Sequence, residues 1–237
     1  MAYKIYKQAS APILGVLFDM DGVILDTEKL YARFWAEACH AYGYPMTYEQ
    51  ALGMRSLNEQ AGQAQLERYF GQGIDRAVIK NKRVELMDAY TDVYGVEPKP
   101  GIVELLDFLQ SQGIRVAITT SSPHDRVRQY LQPLGLYDRF AHICTGPDVK
   151  HGKPSPEPYL MGLQRAGVNA HEAIVIENAP LGVEAGVAAG IFTIAVNTGP
   201  IKADTLYDAG ADIVFDSMPH FAAHIDQLIE TINTLEI

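Results

Sequence analysis

The chain has 237 residues, of which 48% are hydrophobic, and 29 acidic against 19 basic residues give a formal net charge of −10. That length and composition predict a globular protein, large enough for one α/β domain or for a domain with a smaller insert. The negative charge disfavours binding to nucleic acid or to an anionic membrane surface, so an anionic ligand needs its own local positive field.

No segment is typical of a secretory signal or a membrane span. The N-terminal apolar segment Ala11–Phe18 is short, and the longest uncharged run, Ala185–Ile201, is interrupted by glycine and proline. Cys39 and Cys144 form no CxxC pair, so we expect buried free thiols in a reducing compartment. These features predict a soluble, cytoplasmic protein.

The first predicted strand runs into two aspartates, in "PILGVLFDMDGVILDTE" at residues 12–28. Residues two apart in an extended chain lie roughly 6.5 Å apart and point to the same side, so Asp19 and Asp21 can address one reacting centre. Two close carboxylates repel each other, so the pair requires either a nearby cation or the protonation of one member. The alternative is that one or both cap the following turn.

The segment from about residue 26 to residue 94 has no strand pattern and is predicted to be helical. Apolar residues recur at helical spacing in "KLYARFWAEACHAYG", "SLNEQAGQAQLERYF" and "DRAVIKNKRVELMDAY". The loop "LDTE" and the proline-rich "GVEPKPG" bound it. We therefore assign residues 28–96 to a small helical insert and residues 1–27 with 97–237 to the main domain.

From residue 99 onward the pattern alternates between helices and short apolar strands. The predicted strands are "IRVAITT", "AHICT", "AIVIE", "FTIAV" and "DIVF", with helices between the first four and a closing helix at the end. Uniformly apolar strands of this kind predict a parallel sheet covered on both faces, a Rossmann-like α/β fold.

Polar residues follow several of these strands, at the edge where open α/β sheets bind ligands. Thr120 and Ser121 can hold an anion together with free backbone amides, and Lys153 precedes a proline in the proline-rich "HGKPSPEPY". Glu177 and Asn178 offer oxygen ligands suited to Mg²⁺. The alternatives are helix capping for the strand-end residues and a solvated loop for the lysine.

In the helix after "AIVIE", glycine recurs at every fourth position, at Gly182, Gly186 and Gly190. This spacing predicts a close approach of the helix backbone to the sheet.

The stretches "FDMDGVILDTE", "ITTSS", "KPSPEPY" and "IENAPLG" resemble, in that order, the four motifs of the haloacid dehalogenase superfamily. They are most similar to its phosphatase and phosphomutase branch, which carries a small helical cap after the first strand. The resemblance spans nearly the whole chain, and it implies a Rossmann-like core with a cap domain.

The resemblance also implies roles for single residues. Asp19 would be the nucleophile that forms an aspartyl-phosphate, and Asp21 the general acid and base. Thr120 and Ser121 would bind phosphoryl oxygens, and Lys153 would offset their charge. An acid two residues after the nucleophile implies an oxygen leaving group and therefore a phosphate ester as substrate.

The same resemblance implies a Mg²⁺ site formed by Asp19, the Asp21 carbonyl, Glu177 and Asn178. In this branch an aspartate usually stands at the position of Asn178. The neutral amide removes one negative charge, which we expect to weaken Mg²⁺ or to shift its binding onto Glu177. It also leaves open a phosphate-binding module with little turnover.

Two features of the insert bear on the substrate. Tyr31 stands where a β-phosphoglucomutase is expected to carry a histidine, which favours a phosphatase of a small phosphorylated metabolite over a sugar phosphomutase. Arg55, in "LGMRSLNE", is the candidate for contacting the distal part of the substrate, with an exposed arginine at a helix start as the alternative. The oligomeric state is not predicted.

Overall fold

The structure, a computed structural model, describes residues 12–54, 57, 59–199 and 201–234. The chain divides into two compact units. The sheet unit contains the residues up to Leu25 and those from Pro98 onward, and the helical unit is Asp26–Glu97.

The sheet unit is built on parallel strands, as the alternating pattern predicts. The strands are β1 (Gly15–Phe18), β2 (Arg115–Thr119), β3 (His142–Cys144), β4 (Ala173–Glu177), β5 (Phe192–Val196) and β6 (Ile213–Phe215). They form one six-stranded sheet in the order β3-β2-β1-β4-β5-β6, and every pairing is parallel. The predicted α/β, Rossmann-like fold class is confirmed.

Strand β1 occupies the centre of the sheet. Val16 pairs with Val116 of β2 on one side and with Ile174 of β4 on the other. All four residues of β1 are buried, which is why its sequence is uniformly apolar and does not alternate. The chain leaves this central strand directly into the first aspartate, Asp19.

Helices connect and surround the strands. They are α5 (Ile102–Ser111), α6 (His124–Leu131), α7 (Glu157–Ala166), α8 (Pro180–Ala188), α9 (Ala203–Asp208), α10 (Met218–Ala222) and α11 (Ile225–Thr234). The sequence pattern missed α9, which connects β5 to β6, and it merged α10 and α11 into one closing helix. Short helices such as α9 complete fewer than two turns, too few to show a helical period.

The helical unit contains α1 (Glu28–Ala41), α2 (Tyr48–Leu52), α3 (Glu59–Phe70) and α4 (Arg76–Tyr94). The short helix α2 was not predicted; a capping box at Thr47 and Gln50 begins it. Trp35, Met46 and Leu66 are among the buried side chains of this unit's own core.

The predictions for the two cysteines and for membrane-spanning segments can be compared with the structure. Cys39 and Cys144 are buried and free, and burial raises their thiol pKa values to about 12 and about 11. No helix among the described residues is both long and apolar enough to span a membrane.

The regular spacing of glycines in α8 reflects close packing at two of the three positions. A Cβ on Gly182 would collide with Glu177, and one on Gly186 would lie 2.6 Å from Thr193 Oγ1. Gly190 lies two residues past the end of α8 and differs from the other two glycines. No atom of the described residues lies within 4 Å of a Cβ added there, and its φ of +74° is a conformation that glycine adopts readily after a helix.

Candidate active site

The candidate site lies at the carboxyl ends of the central strands. Asp19 follows β1, and its amide donates to the carbonyl of Ile176 in β4 at 3.0 Å. This bond holds Asp19 next to the end of β4, where Glu177 is the last strand residue. The parallel register thus brings together two acidic residues that are far apart in sequence.

Lys153 connects these two carboxylates. Its Nζ donates to Asp19 Oδ1 at 2.7 Å and to Glu177 Oε1 at 2.6 Å. A third bond, at 3.0 Å, goes to the main-chain carbonyl of Thr119 at the end of β2. The side chain of Lys153 is only 8% exposed, so the alternative of a solvated loop lysine is wrong.

The carboxylate of Glu177 is fully engaged by the protein. Oε1 also accepts from the hydroxyl of Tyr159 at 2.8 Å, and Oε2 accepts from the amides of Asn178 and Ala179 at 2.9 and 3.3 Å. The side chain lies against α8 at a place where a Cβ on Gly182 would be 1.8 Å from Oε1. Glycine at 182 therefore makes room for this carboxylate.

Burial and neighbouring charges together set the pKa values of Asp19 and Lys153. Burial raises the pKa of the Asp19 carboxyl to about 7; the ammonium of Lys153 opposes that rise, and the carboxylates of Glu177 and Asp21 add to it. Burial alone would lower the pKa of Lys153, but the carboxylates of Asp19 and Glu177 outweigh it and raise that pKa above its ordinary value. Lys153 therefore stays a cation beside Asp19.

Asp21 is held by a residue that the sequence analysis did not single out. The hydroxyl of Ser122 donates to Asp21 Oδ2 at 3.0 Å, and the amide of Ser122 donates to Thr120 Oγ1 at 3.1 Å. Ser122 is 101 positions from Asp21 in sequence. It stood in the quoted motif "ITTSS", where the run of hydroxyls was the available signal.

Thr120 and Ser121 lie just past β2. Thr120 is buried, and its amide donates to the carbonyl of Cys144 in β3, whereas Ser121 is exposed. The capping alternative is wrong for both, because Pro123 is the N-cap of α6 and no side chain caps that helix. Their hydroxyls are therefore not committed to the helix end.

Asn178 is buried behind the end of β4. Its side-chain nitrogen donates to Thr198 Oγ1 at 3.0 Å. The N-cap of α8 is Ala179, and no side chain caps that helix, so the capping alternative fails for Asn178 and Glu177 as well. Because this bond fixes which end of the side-chain amide is the nitrogen, the other end is the oxygen, which can serve as a cation ligand.

The donor set suits a hard divalent cation. The carboxylates of Asp19 and Glu177 share the ammonium of Lys153. Burial raises the pKa of Asp19, and the charges of Glu177 and Asp21 add to that rise, so a further cation would stabilise the ionised Asp19. Oxygen ligands are those that Mg²⁺ prefers. Among the described residues, however, no group of three or more His, Cys, Asp or Glu is arranged so that it could hold a metal. A cation here would therefore need main-chain or amide oxygens as well.

Two residues of the helical unit were singled out from the sequence. Arg55 lies outside the described residues. Tyr31 lies on α1, and the guanidinium of Arg83 stands 4.7 Å from its ring centroid. The prediction that Arg55 contacts the substrate stays untested. The same holds for the prediction that Tyr31 favours a phosphatase over a phosphomutase.

A family profile and two sequence relatives match this chain, and both relatives are described as phosphatases. The sequence profile described as "Haloacid dehalogenase-like hydrolase" matches residues 16–196. A phosphorylated carbohydrates phosphatase of Thermotoga maritima is 34% identical over 75% of this chain and 82% of its own length. Hexitol phosphatase A of Escherichia coli is 35% identical over 86% of this chain and 91% of its own length.

Solved structures agree with the sequence relatives. A protein described as "Putative beta-phosphoglucomutase" from Bacteroides vulgatus superposes with a TM-score of 0.74 at 34% identity. The match covers 95% of this chain and 92% of that one. The similarity therefore extends over both units of the chain.

Proposed function

The chain belongs to the haloacid dehalogenase-like hydrolase family, and from that premise we propose that it is a Mg²⁺-dependent phosphatase of a small phosphorylated metabolite, such as a sugar phosphate. It is a hydrolase of phosphoric monoesters, like the two phosphatases that share about a third of its sequence. The observation that supports the proposal is the bond from the buried Lys153 to Asp19, because a cation beside this carboxylate suits the role of nucleophile that we propose for it.

The first half of the reaction transfers the phosphoryl group to the protein. A carboxylate oxygen of Asp19 attacks phosphorus, and the bond from phosphorus to the alcohol oxygen breaks. Asp21 gives its proton to that leaving oxygen. Lys153 offsets the repulsion between the carboxylate and the phosphate dianion, and Thr120 with Ser121 holds phosphoryl oxygens.

The second half returns the protein to its starting state. Asp21, now a carboxylate, takes a proton from a water molecule, whose oxygen attacks phosphorus. The bond between Asp19 and phosphorus breaks, and inorganic phosphate leaves. Ser122 holds Asp21 Oδ2 at 3.0 Å, which keeps the acid and base near the reacting oxygen in both halves.

The Asp19 carboxylate, the Asp21 carbonyl and the Asn178 amide oxygen would hold Mg²⁺. When bound, the ion would add positive charge beside the Asp19 carboxylate and stabilise the transferring phosphoryl group. Glu177 would ligate it only by giving up bonds to Lys153, Tyr159 or two main-chain amides. We therefore assign Glu177 to holding Lys153 and to setting the charge of the site.

Residues 28–96 act in this proposal as a cap that contributes to the choice of substrate, with Arg55 as a candidate contact. The protein acts in the cytoplasm on a soluble metabolite. A screen of phosphorylated metabolites with and without EDTA tests the proposal, with Asp19→Asn as the matched inactive variant. We expect EDTA-sensitive release of phosphate from a subset of small esters; turnover retained by Asp19→Asn would refute the mechanism.

A β-phosphoglucomutase activity is the second candidate, favoured by the description of the Bacteroides vulgatus protein. Incubation with β-glucose 1-phosphate and a trace of the bisphosphate separates the two candidates. Glucose 6-phosphate as the product supports the mutase, and free phosphate alone supports the phosphatase. A third possibility is a phosphate-binding module without turnover. Calorimetry that detects no Mg²⁺ binding, together with assays that detect no hydrolysis of any phosphate ester, would favour it.

A further inference from the structure

A buried tyrosine contacts both members of the Glu177–Lys153 pair. Tyr159 lies on α7 with no exposed surface, and its hydroxyl donates to Glu177 Oε1 at 2.8 Å. That oxygen also accepts from Lys153 Nζ at 2.6 Å. The same Nζ stands 5.0 Å from the centroid of the Tyr159 ring, within the range of a cation–π contact.

We propose that Tyr159 is a positioning residue for phosphoryl transfer: its hydroxyl fixes the Glu177 carboxylate and shares its charge, so that Lys153 stays directed at Asp19. The inference rests on the proposed function, because it assigns a role within that reaction. The tyrosine itself touches neither Asp19 nor the substrate in this account. It acts through Glu177 and Lys153.

The ammonium of Lys153 is shared between competing acceptors. Asp19 and Glu177 hold it at 2.7 and 2.6 Å, and both attract it across a poorly hydrated space. A hydroxyl that donates to Glu177 Oε1 satisfies part of that oxygen's demand for a donor. Without it, Oε1 would draw Lys153 more strongly, at the expense of Asp19 and of the phosphoryl group.

The geometry also explains why Glu177 cannot adapt by moving. Main-chain amides hold Oε2, and α8 passes so closely that a Cβ on Gly182 would overlap the carboxylate. The Tyr159 hydroxyl is the donor in its 2.8 Å bond to Oε1. The position of the Glu177 carboxylate is thus fixed. Among the described residues, the side chains that donate a hydrogen bond to it are those of Lys153 and Tyr159.

A simpler interpretation is that Tyr159 fills the core and merely needs a partner for its hydroxyl, as buried tyrosines generally do. Its ring does pack in the core cluster with Leu17, Leu163 and Val175. The two interpretations differ in what removal of the hydroxyl alone should do. A core role predicts a change in stability; a positioning role predicts a change in the lysine and in the rate.

The test is Tyr159→Phe, with Tyr130→Phe as the matched control. Tyr130 is another buried tyrosine of the sheet unit, on α6, with the Arg126 guanidinium 5.9 Å from its ring. With saturating Mg²⁺ and an ester that the wild type hydrolyses, we expect Tyr159→Phe to lower kcat about tenfold with KM changed less than about twofold. The control should stay within about twofold of wild type in both.

The second readout is the NMR signal of the Lys153 ammonium in ¹⁵N-lysine-labelled protein, assigned by its absence in Lys153→Met. In the wild type it should be protected from exchange, and in Tyr159→Phe it should shift or broaden. An unchanged signal overturns the proposal if kcat is also unchanged, or if kcat falls only in proportion to the folded, active fraction.

The two levels of inference can fail separately. If the wild type hydrolyses no phosphate ester, the proposed function fails. The ammonium signal still reports whether Tyr159 positions Lys153, and a signal that is the same in wild type and Tyr159→Phe then overturns the positioning role by itself.

Discussion

Each unit of the chain buries a cationic side chain, but the surroundings of the two cations differ. In the sheet unit, Lys153 is enclosed by the carboxylates of Asp19 and Glu177 and by a main-chain carbonyl. In the helical unit, Arg76 is 9% exposed, lies 5.7 Å from the centroid of the Trp35 ring, and donates to the Leu57 carbonyl at 3.4 Å. Its Nε finds no hydrogen-bond partner among the described residues.

The pKa values of the two cations move in opposite directions. Carboxylates raise the pKa of Lys153 in spite of its burial, whereas burial lowers the pKa of Arg76 and only the charge of Glu59 opposes it. The proposed function gives the buried lysine, which two carboxylates hold, a role in binding an anion. Arg76 lies over an indole ring and has no hydrogen-bonded carboxylate among the described residues, so we expect it to serve packing and its removal to have different consequences.

The largest effect should come from Lys153→Met. It leaves Asp19 and Glu177 without their shared cation, and it removes the positive charge that the proposed function assigns to the binding of the phosphoryl group. We expect kcat to fall about 100- to 1000-fold and the free energy of unfolding to fall by on the order of 3 kcal/mol. Steady-state kinetics and urea denaturation measure the two losses.

The matched control is Lys150→Met, an exposed lysine three positions earlier in the same loop. It should change the free energy of unfolding by less than about 0.5 kcal/mol and leave kcat unaltered. A Lys153→Met protein with a kcat within threefold of wild type would contradict the electrostatic role of this lysine.

A smaller loss of stability and of kcat is expected from Gly182→Ala, which introduces a methyl group on α8 against the Glu177 carboxylate. The new Cβ would lie 1.8 Å from Glu177 Oε1 and 2.0 Å from Cδ, so the carboxylate has to move and its bond to Lys153 is distorted. We expect a free energy of unfolding lower by about 1–3 kcal/mol and a kcat reduced by about tenfold.

Gly152→Ala serves as the comparison for that variant, because no atom lies within 4 Å of its added Cβ. Its stability and rate should match the wild type. If Gly182→Ala behaved like Gly152→Ala, the close packing of α8 against Glu177 would have no bearing on the site.

The smallest effect should come from Arg76→Met in the helical unit. Methionine keeps much of the apolar stem over Trp35, and no carboxylate in the described part of the chain is hydrogen-bonded to Arg76 and would lose its cation. We expect the free energy of unfolding to change by less than about 1 kcal/mol, in either direction. A loss of 3 kcal/mol or more, measured by urea denaturation, would mean that the two buried cations are equivalent after all.

The sequence contained enough information for most of the fold. Short strands without alternation predicted a buried parallel sheet, and the strand "AIVIE" was located to the residue as Ala173–Glu177. The two missed helices, α2 (Tyr48–Leu52) and α9 (Ala203–Asp208), are five and six residues long. Segments of that length do not repeat an apolar position often enough to reveal a helical period.

For the site, the sequence pointed to residues but not to the contacts between them. Asp19, Thr120 and Glu177 could be expected to meet, because the carboxyl ends of parallel strands share one edge. Lys153 does not follow a strand, and only the family resemblance placed it with them. That Glu177 is enclosed by Tyr159 and by α8 depends on how a helix packs on the sheet, and 18 positions separate Tyr159 from Glu177. No local pattern encodes such a contact.

The central step of the proposed mechanism is the transfer of the phosphoryl group to Asp19. Acid quenching during turnover of a hydrolysed ester, followed by borohydride reduction of the acyl phosphate and mass spectrometry of the peptides, locates the modified carboxylate directly. The account predicts homoserine at position 19 in the wild type and no reduced residue in Asp19→Asn. Reduction at another carboxylate, or turnover without any acyl phosphate and undiminished in Asp19→Asn, would contradict it.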